Sequence, residues 1–192
     1  ARLAPRKELY QDRFVLLSDG PYSGVAPERL GVPANAFREL SLTIRLEHEC
    51  AHYVTRRLLG AMGVNAYDEL IADYVGIAAA CGRFRADWLL AFMGLERYPE
   101  CRDGGRLHHY RGNPPLSDGA FRLLCDRMTR AAEALERWDR RQPPGRRDAV
   151  GIAAIVVALS TLTLERLASD PSGDCVERAL EAVGRFGCFR HG

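Results

Sequence analysis

Lysine is all but missing from this chain: Lys7 is the only one, and arginine carries nearly all the positive charge. Long apolar runs are missing too. The longest, Ala149 to Leu159, is too short to span a bilayer, so a role inside the membrane is not expected. The opening stretch, Ala1 to Tyr10, is polar and charged and lacks the apolar segment of a secretory signal. A strong charge of either sign is also absent. The net charge is +2 over 192 residues, which argues against a dedicated nucleic-acid partner. No CxxC pair occurs among the six cysteines, Cys50, Cys81, Cys101, Cys125, Cys175 and Cys188. Four of them fall in helical patterns, where cysteine behaves as a small buried hydrophobe. They read as reduced thiols of a cytoplasmic protein. The preference for arginine over lysine, with abundant alanine, suggests a GC-rich bacterial genome.

What is present is mostly helical pattern. The expected fold is mainly α: residues 1–192 as one compact helical domain with two metal-bearing helices and, at most, a small N-terminal β element. That element is residues 13 to 17 (Arg-Phe-Val-Leu-Leu), which read as one short strand. Glycines and prolines mark residues 18 to 34 as loop. A long helix is expected from an N-cap at Asn35 to about Leu59, ended by Gly60 and Gly63. Further helices are expected over about Tyr67–Ala80, stopped by Gly82, and Arg85–Leu95. Residues 98 to 116 show no periodicity, and unstructured loops of that length are usually functional or disordered. Ser117 then caps a helix to about Arg140. After a charged Pro/Gly turn comes a nearly all-apolar helix, Ala149–Ala168, expected to be the buried central one. A last helix spans about Asp174–Arg185.

Chemistry concentrates in the first long helix. His48-Glu49-Cys50-Ala51-His52 is an HExxH motif. Residues four apart in a helix share a face, so both imidazoles can reach one Zn²⁺. Glu49 then stands beside the metal's open position, where it can take a proton from the activated water. Leu40, Ile44, Ala51, Val54 and Leu58 form an apolar stripe. Ser41, Arg45, His48, Glu49, His52 and Arg56 form a polar one. Cys50 points away from the histidines, toward the core.

A catalytic zinc needs a third protein ligand. The next helix offers Glu69 and Asp73, spaced i, i+4. Between Leu70 and Cys81 the only charged residue is Asp73. A carboxylate in so apolar a helix needs a cation or several donors. Glu69 is assigned to the metal, and Asp73 to the outer N–H of a ligand histidine, which would fix its tautomer. Asp68 is the alternative ligand, although it lies about 100° from Glu69 around the helix.

These two motifs, His48-Glu49-Cys50-Ala51-His52 followed by Glu69-Leu70-Ile71-Ala72-Asp73, resemble the gluzincins, the thermolysin-like HExxH…ExxxD metallopeptidases. The resemblance implies zinc ligands His48, His52 and Glu69, general base Glu49, and Asp73 behind a ligand histidine. It covers about residues 39 to 77. A metzincin pattern fails, because Thr55 and Leu58 stand where its glycine and third histidine belong. The upstream region is too short for the β-sheet of large thermolysin-like enzymes, which points to a small bacterial zincin family.

The loop of residues 98 to 116 carries Arg106, His108, His109, Tyr110 and Arg111. Of these, His108, His109 and Tyr110 are the expected donors to a developing oxyanion. The functional expectation is a zinc hydrolase acting on a peptide or small amide. The alternatives are a zinc enzyme modifying a peptide or natural product, and a non-catalytic helical binding protein with a structural metal.

Overall fold

The structure, a computed structural model, describes residues 14–60, 65–143, 146 and 148–185. Among these described residues seven α-helices follow one another: α1 (Ala34–Val54), α2 (Ala66–Cys81), α3 (Ala86–Met93), α4 (Asp118–Arg140), α5 (Ala149–Ser160), α6 (Leu164–Ala168) and α7 (Asp174–Arg185). Short 3-10 turns lie at Tyr22–Gly24, Pro27–Leu30 and Arg106–Arg111, and α1 runs on into a π turn at Thr55–Leu59. The fold is mainly α, as the periodicity predicts.

The organising element is α2. It is buried without a break from Glu69 to Ala78 and packs against α1, α3, α4 and α5. Its apolar sequence leaves no face for solvent, so it becomes the core of the assembly. Its start is fixed by a capping box. The Asn65 side chain accepts the N–H groups of Tyr67 (2.8 Å) and Asp68 (3.1 Å), while Asp68 accepts that of Asn65 (3.2 Å). Asp68 is thereby engaged at the helix end.

Gly76 lets α1 and α2 touch. A Cβ at this position would stand 2.6 Å from the Ile44 carbonyl oxygen. Only hydrogen fits, so the two backbones approach there closely enough for side chains one turn further on to meet.

Several expectations need correction. Residues 14 to 17 form no strand; Phe14 and Leu16 stand 79% and 85% exposed, and Arg13 lies outside the described residues. With no strand beside it among the described residues, an apolar run has nothing to pair its backbone with. The Ala149–Ala168 helix is two helices, because Thr161 ends the first and Thr163 caps the second by accepting the Arg166 N–H (3.1 Å). Nor is its first part central: Ala149 and Val150 are exposed, and full burial is confined to Ile155, Val156, Ala158 and Leu159. Finally, the buried face of α1 is Phe37, Ser41, Ile44, His48 and Ala51, so it mixes the two expected stripes. Ser41 and His48 are accommodated inside because partners meet them there: the Ser41 hydroxyl accepts the Tyr22 N–H (3.2 Å), and His48 meets Asp73.

The five described cysteines carry free thiols; Cys188 lies outside the described residues. Cys50 is only half-buried rather than in the core. Among the described residues, no helix is long and apolar enough to cross a membrane.

Candidate metal centre

The α1–α2 contact brings the two motifs together. One ligand atom from each of His48, His52 and Glu69 lies within 4.8 Å of the other two. His52 Nε2 is 3.2 Å from Glu69 Oε1, and His48 Nε2 is 3.6 Å from Glu69 Oε2. Donors about 2.0–2.1 Å from a tetrahedral zinc stand roughly 3.3 Å apart. Each imidazole thus stands at about such a separation from a Glu69 oxygen, His52 from Oε1 and His48 from Oε2, and the donor set of two imidazoles and one carboxylate suits zinc.

Asp73 lies behind this cluster, fully buried. Its Oδ1 is 2.8 Å from His48 Nδ1 and accepts the Tyr22 hydroxyl at 2.7 Å. Its Oδ2 accepts a guanidinium N–H of Arg106. With Nδ1 of His48 occupied by Asp73, Nε2 is the nitrogen turned toward Glu69. Tyr22 and Arg106 complete the network: the Tyr22 hydroxyl is 2.9 Å from His48 Nδ1 and accepts Arg106 Nη1 at 2.9 Å. The guanidinium also approaches Glu69, with Nε 3.7 Å from Oε2.

The electrostatics follow from burial opposed by these partners. Burial pushes the Asp73 carboxyl up, but the Arg106 charge and the bonds with His48 and Tyr22 outweigh it and hold the carboxyl below its usual range. Glu69 behaves alike: burial raises it, and His52, Arg106 and His48 together bring it lower than an ordinary glutamate. Both groups are anions at neutral pH, as metal ligation and its support require. The Tyr22 hydroxyl is raised well above a free tyrosine, first by burial and then by Asp73. It stays protonated and donates.

Arg106 reaches Asp73 because its loop is seated on the end of α3. Gly94 ends that helix at φ 85°, and its carbonyl accepts the Arg102 N–H at 2.7 Å. The Arg102 side chain in turn binds Glu96 (2.7 Å) and the Ala91 carbonyl (3.1 Å). A Cβ on Gly94 would come within 2.7 Å of Gly105 Cα. Two glycines thus let the chain cross the helix end closely and launch the turn that carries Arg106 and Tyr110.

Tyr22, Ser23, Arg45, His48, Glu49, His52, Glu69 and Arg106 line an open cleft of about 420 Å³. Glu49 is exposed on its wall. Of the three expected loop donors, Tyr110 lies close enough to Glu69 that, after burial, this carboxylate raises its hydroxyl above the ordinary value. His108 instead packs on Phe121, ring centroids 4.9 Å apart, and His109 is exposed. None of the three lines the cleft. Tyr22 and Arg106 are the two site residues that the motifs do not reveal. The signal for Arg106 was indirect: a buried Asp73 demands a cation, and the long loop had arginines to offer.

No curated protein and no solved structure matches the chain. Residues 1–171 match the model of the Family of unknown function (DUF7005), and the chain belongs to that family.

Proposed function

We propose that this protein is a zinc-dependent metallohydrolase, a peptidase or amidase, with His48, His52 and Glu69 as ligands and Glu49 as general base. The observation that supports it most is the convergence of those three donors within 4.8 Å of one another while Asp73 takes the outer nitrogen of His48. The resemblance to gluzincins points the same way. Bound at this position, zinc would acidify a water and polarise a substrate carbonyl.

The chain's own groups do the rest. Asp73, held by Tyr22 and Arg106, keeps the His48 ring in one tautomer and orientation. Glu49, on the cleft wall and one residue along from His48, takes the proton of the attacking water and returns it to the leaving nitrogen. Tyr110 is the donor to the oxyanion, since its hydroxyl lies near enough to the ligand Glu69 to be raised by it. Arg106 is a positioning residue, because its Nη1 bonds Tyr22 and its Nη2 bonds Asp73.

The experiment is to replace Glu49 by Gln and measure zinc content and amide hydrolysis together. The expected result is retained zinc with turnover lost. Wild-type turnover in this variant would exclude Glu49 as the base.

A further inference from the structure

Two thiols meet where the loop of residues 98 to 116 lies along α4. Contacts on either side hold the loop there. The Tyr98 hydroxyl donates to Asp126 Oδ1 at 3.0 Å. His108 packs on Phe121, and the Arg111 guanidinium lies over the same ring, 4.7 Å from its centroid, and binds Asp118 at 2.7 Å. Tyr98 is three residues before Cys101, and Asp126 directly follows Cys125, so the Tyr98 bond brings the two cysteines into one neighbourhood. Cys101 packs against the buried cluster that contains Cys125, and both thiols are free. They are close enough to act on each other. Burial first, and then Cys101, push the Cys125 thiol up to about 12; burial also raises Cys101, and Cys125 offsets part of that rise.

Their exposures differ in a way that suits stepwise oxidation. Cys101 is half-buried and lines a cavity of about 190 Å³ whose walls include the exposed Arg97 and Glu100. A small molecule can reach it there. Cys125 is 2% exposed, so it can meet Cys101 but not a reagent from solution. Cys101 also belongs to the strap that aims Arg106. The N–H of Arg102, next in the chain, donates to the Gly94 carbonyl, and Gly105 then crosses Gly94 before Arg106 reaches Asp73.

We propose that Cys101 and Cys125 form a reversible disulfide, with a low-molecular-weight disulfide of the glutathione class as oxidant, and that the bond clamps the Arg106 loop to α4. The Cys101 thiolate attacks one sulfur of the small disulfide. A mixed disulfide forms on Cys101, and one small thiolate leaves. The Cys125 thiolate then attacks the Cys101 sulfur, joins the two cysteines and expels the second small thiolate. The two cysteine protons pass to the two departing thiolates. Two protein thiols are thereby oxidised, and one small disulfide is reduced to two thiols. The bond closes the chain from Cys101 to Cys125 into a ring, which restricts the unfolded chain and stabilises the fold. It forms with or without a metal in the cleft.

The test equilibrates the purified full chain with reduced or oxidised glutathione, blocks the remaining thiols by alkylation and maps the peptides by mass spectrometry. Oxidised glutathione should give one peptide pair joined through Cys101 and Cys125, and dithiothreitol should release it. The oxidised protein should melt about 5–10 °C higher than the reduced one, and the amides of residues 102–111 should exchange hydrogen more slowly. Cys125→Ala should stop the reaction at a glutathione-bound Cys101. Cys101→Ser should leave the buried Cys125 unmodified. In wild type, a Cys101 that stays joined to glutathione, a bond from either residue to another cysteine, or both thiols left free would overturn the proposal. A Cys101–Cys125 bond that changes neither melting nor exchange would overturn the clamp. The wild-type peptide map decides even if Cys125→Ala does not fold.

Discussion

Replacing Gly76 by alanine should damage the proposed metal centre without touching any proposed ligand. The added Cβ would stand 2.6 Å from the Ile44 carbonyl oxygen and 3.1 Å from Ile44 Cγ2. An ordinary contact needs about 3.4 Å, so the two helices must separate locally by about 0.8 Å. The pinch lies one turn from the pair that matters: Gly76 is three residues past Asp73, and Ile44 is four before His48. The His48–Asp73 bond is 2.8 Å long. If the displacement were fully transmitted, that bond would stretch to about 3.6 Å, beyond hydrogen-bond length. Overpacking of this kind costs about 1–3 kcal/mol. Losing the outer partner of a ligand histidine weakens metal binding by about 10- to 100-fold. Thermal melting and a zinc-chelator competition read the two effects. Gly119→Ala is the control: it lies in the first turn of α4 with nothing within 4 Å of its added Cβ, and should be neutral or stabilising by about 0.4–1 kcal/mol with zinc affinity intact. Wild-type melting and wild-type zinc affinity in Gly76→Ala would refute the argument that this close approach sets the site's geometry.

Other consequences are open to measurement. Asp73→Asn should weaken zinc binding by about 10- to 100-fold without abolishing it; unchanged affinity in a chelator competition would remove Asp73 from the site. Tyr110→Phe should lower turnover by about 10²- to 10³-fold with zinc retained, whereas a wild-type rate would show that the oxyanion donor lies elsewhere. Asp139 is buried on α4 and accepts the Tyr74 hydroxyl (2.9 Å) and the Phe84 N–H (3.0 Å), so Asp139→Ala should cost about 2–4 kcal/mol in a denaturant titration; a loss below about 1 kcal/mol would contradict this. Although burial raises the Asp170 carboxyl, hydrogen bonds from Ser172, the Cys175 backbone and Arg178 bring it down to about 2. Its contribution to stability is therefore present above about pH 4 and lost as the pH falls toward 2. Asp170→Asn should flatten that part of the pH–stability curve, and an unchanged slope would contradict the assignment.

The parts of the site legible in the sequence were those carried by helical spacing. His48 and His52, like Glu69 and Asp73, are four apart on one helix, and Asp73 stood out as a charge in an otherwise apolar run. Tyr22 and Arg106 come from irregular segments 51 and 33 residues away from Asp73, where no periodicity announces which face a side chain takes. The loop was recognised as important, but not which of its residues turns inward. That choice is made by the Gly94–Gly105 approach, a tertiary contact. The ends of α4 and α7 followed local signals, among them the Ser117 cap. The break between α5 and α6 was hidden because threonine at 161 and 163 sits inside an apolar stretch, and capping there outweighs the hydrophobic run. The exposed residues 14–17 show the converse, an apolar run that on its own does not make a strand.

The central claim is that α1 and α2 hold one zinc ion between His48, His52 and Glu69. The most direct measurement is elemental analysis of the purified protein beside its His48→Ala, Glu69→Ala and Asp68→Ala variants. The account predicts about one equivalent of zinc per chain in wild type and in Asp68→Ala, and little in the other two. A wild-type protein that binds no zinc, or a site emptied by Asp68→Ala but not by Glu69→Ala, would contradict it.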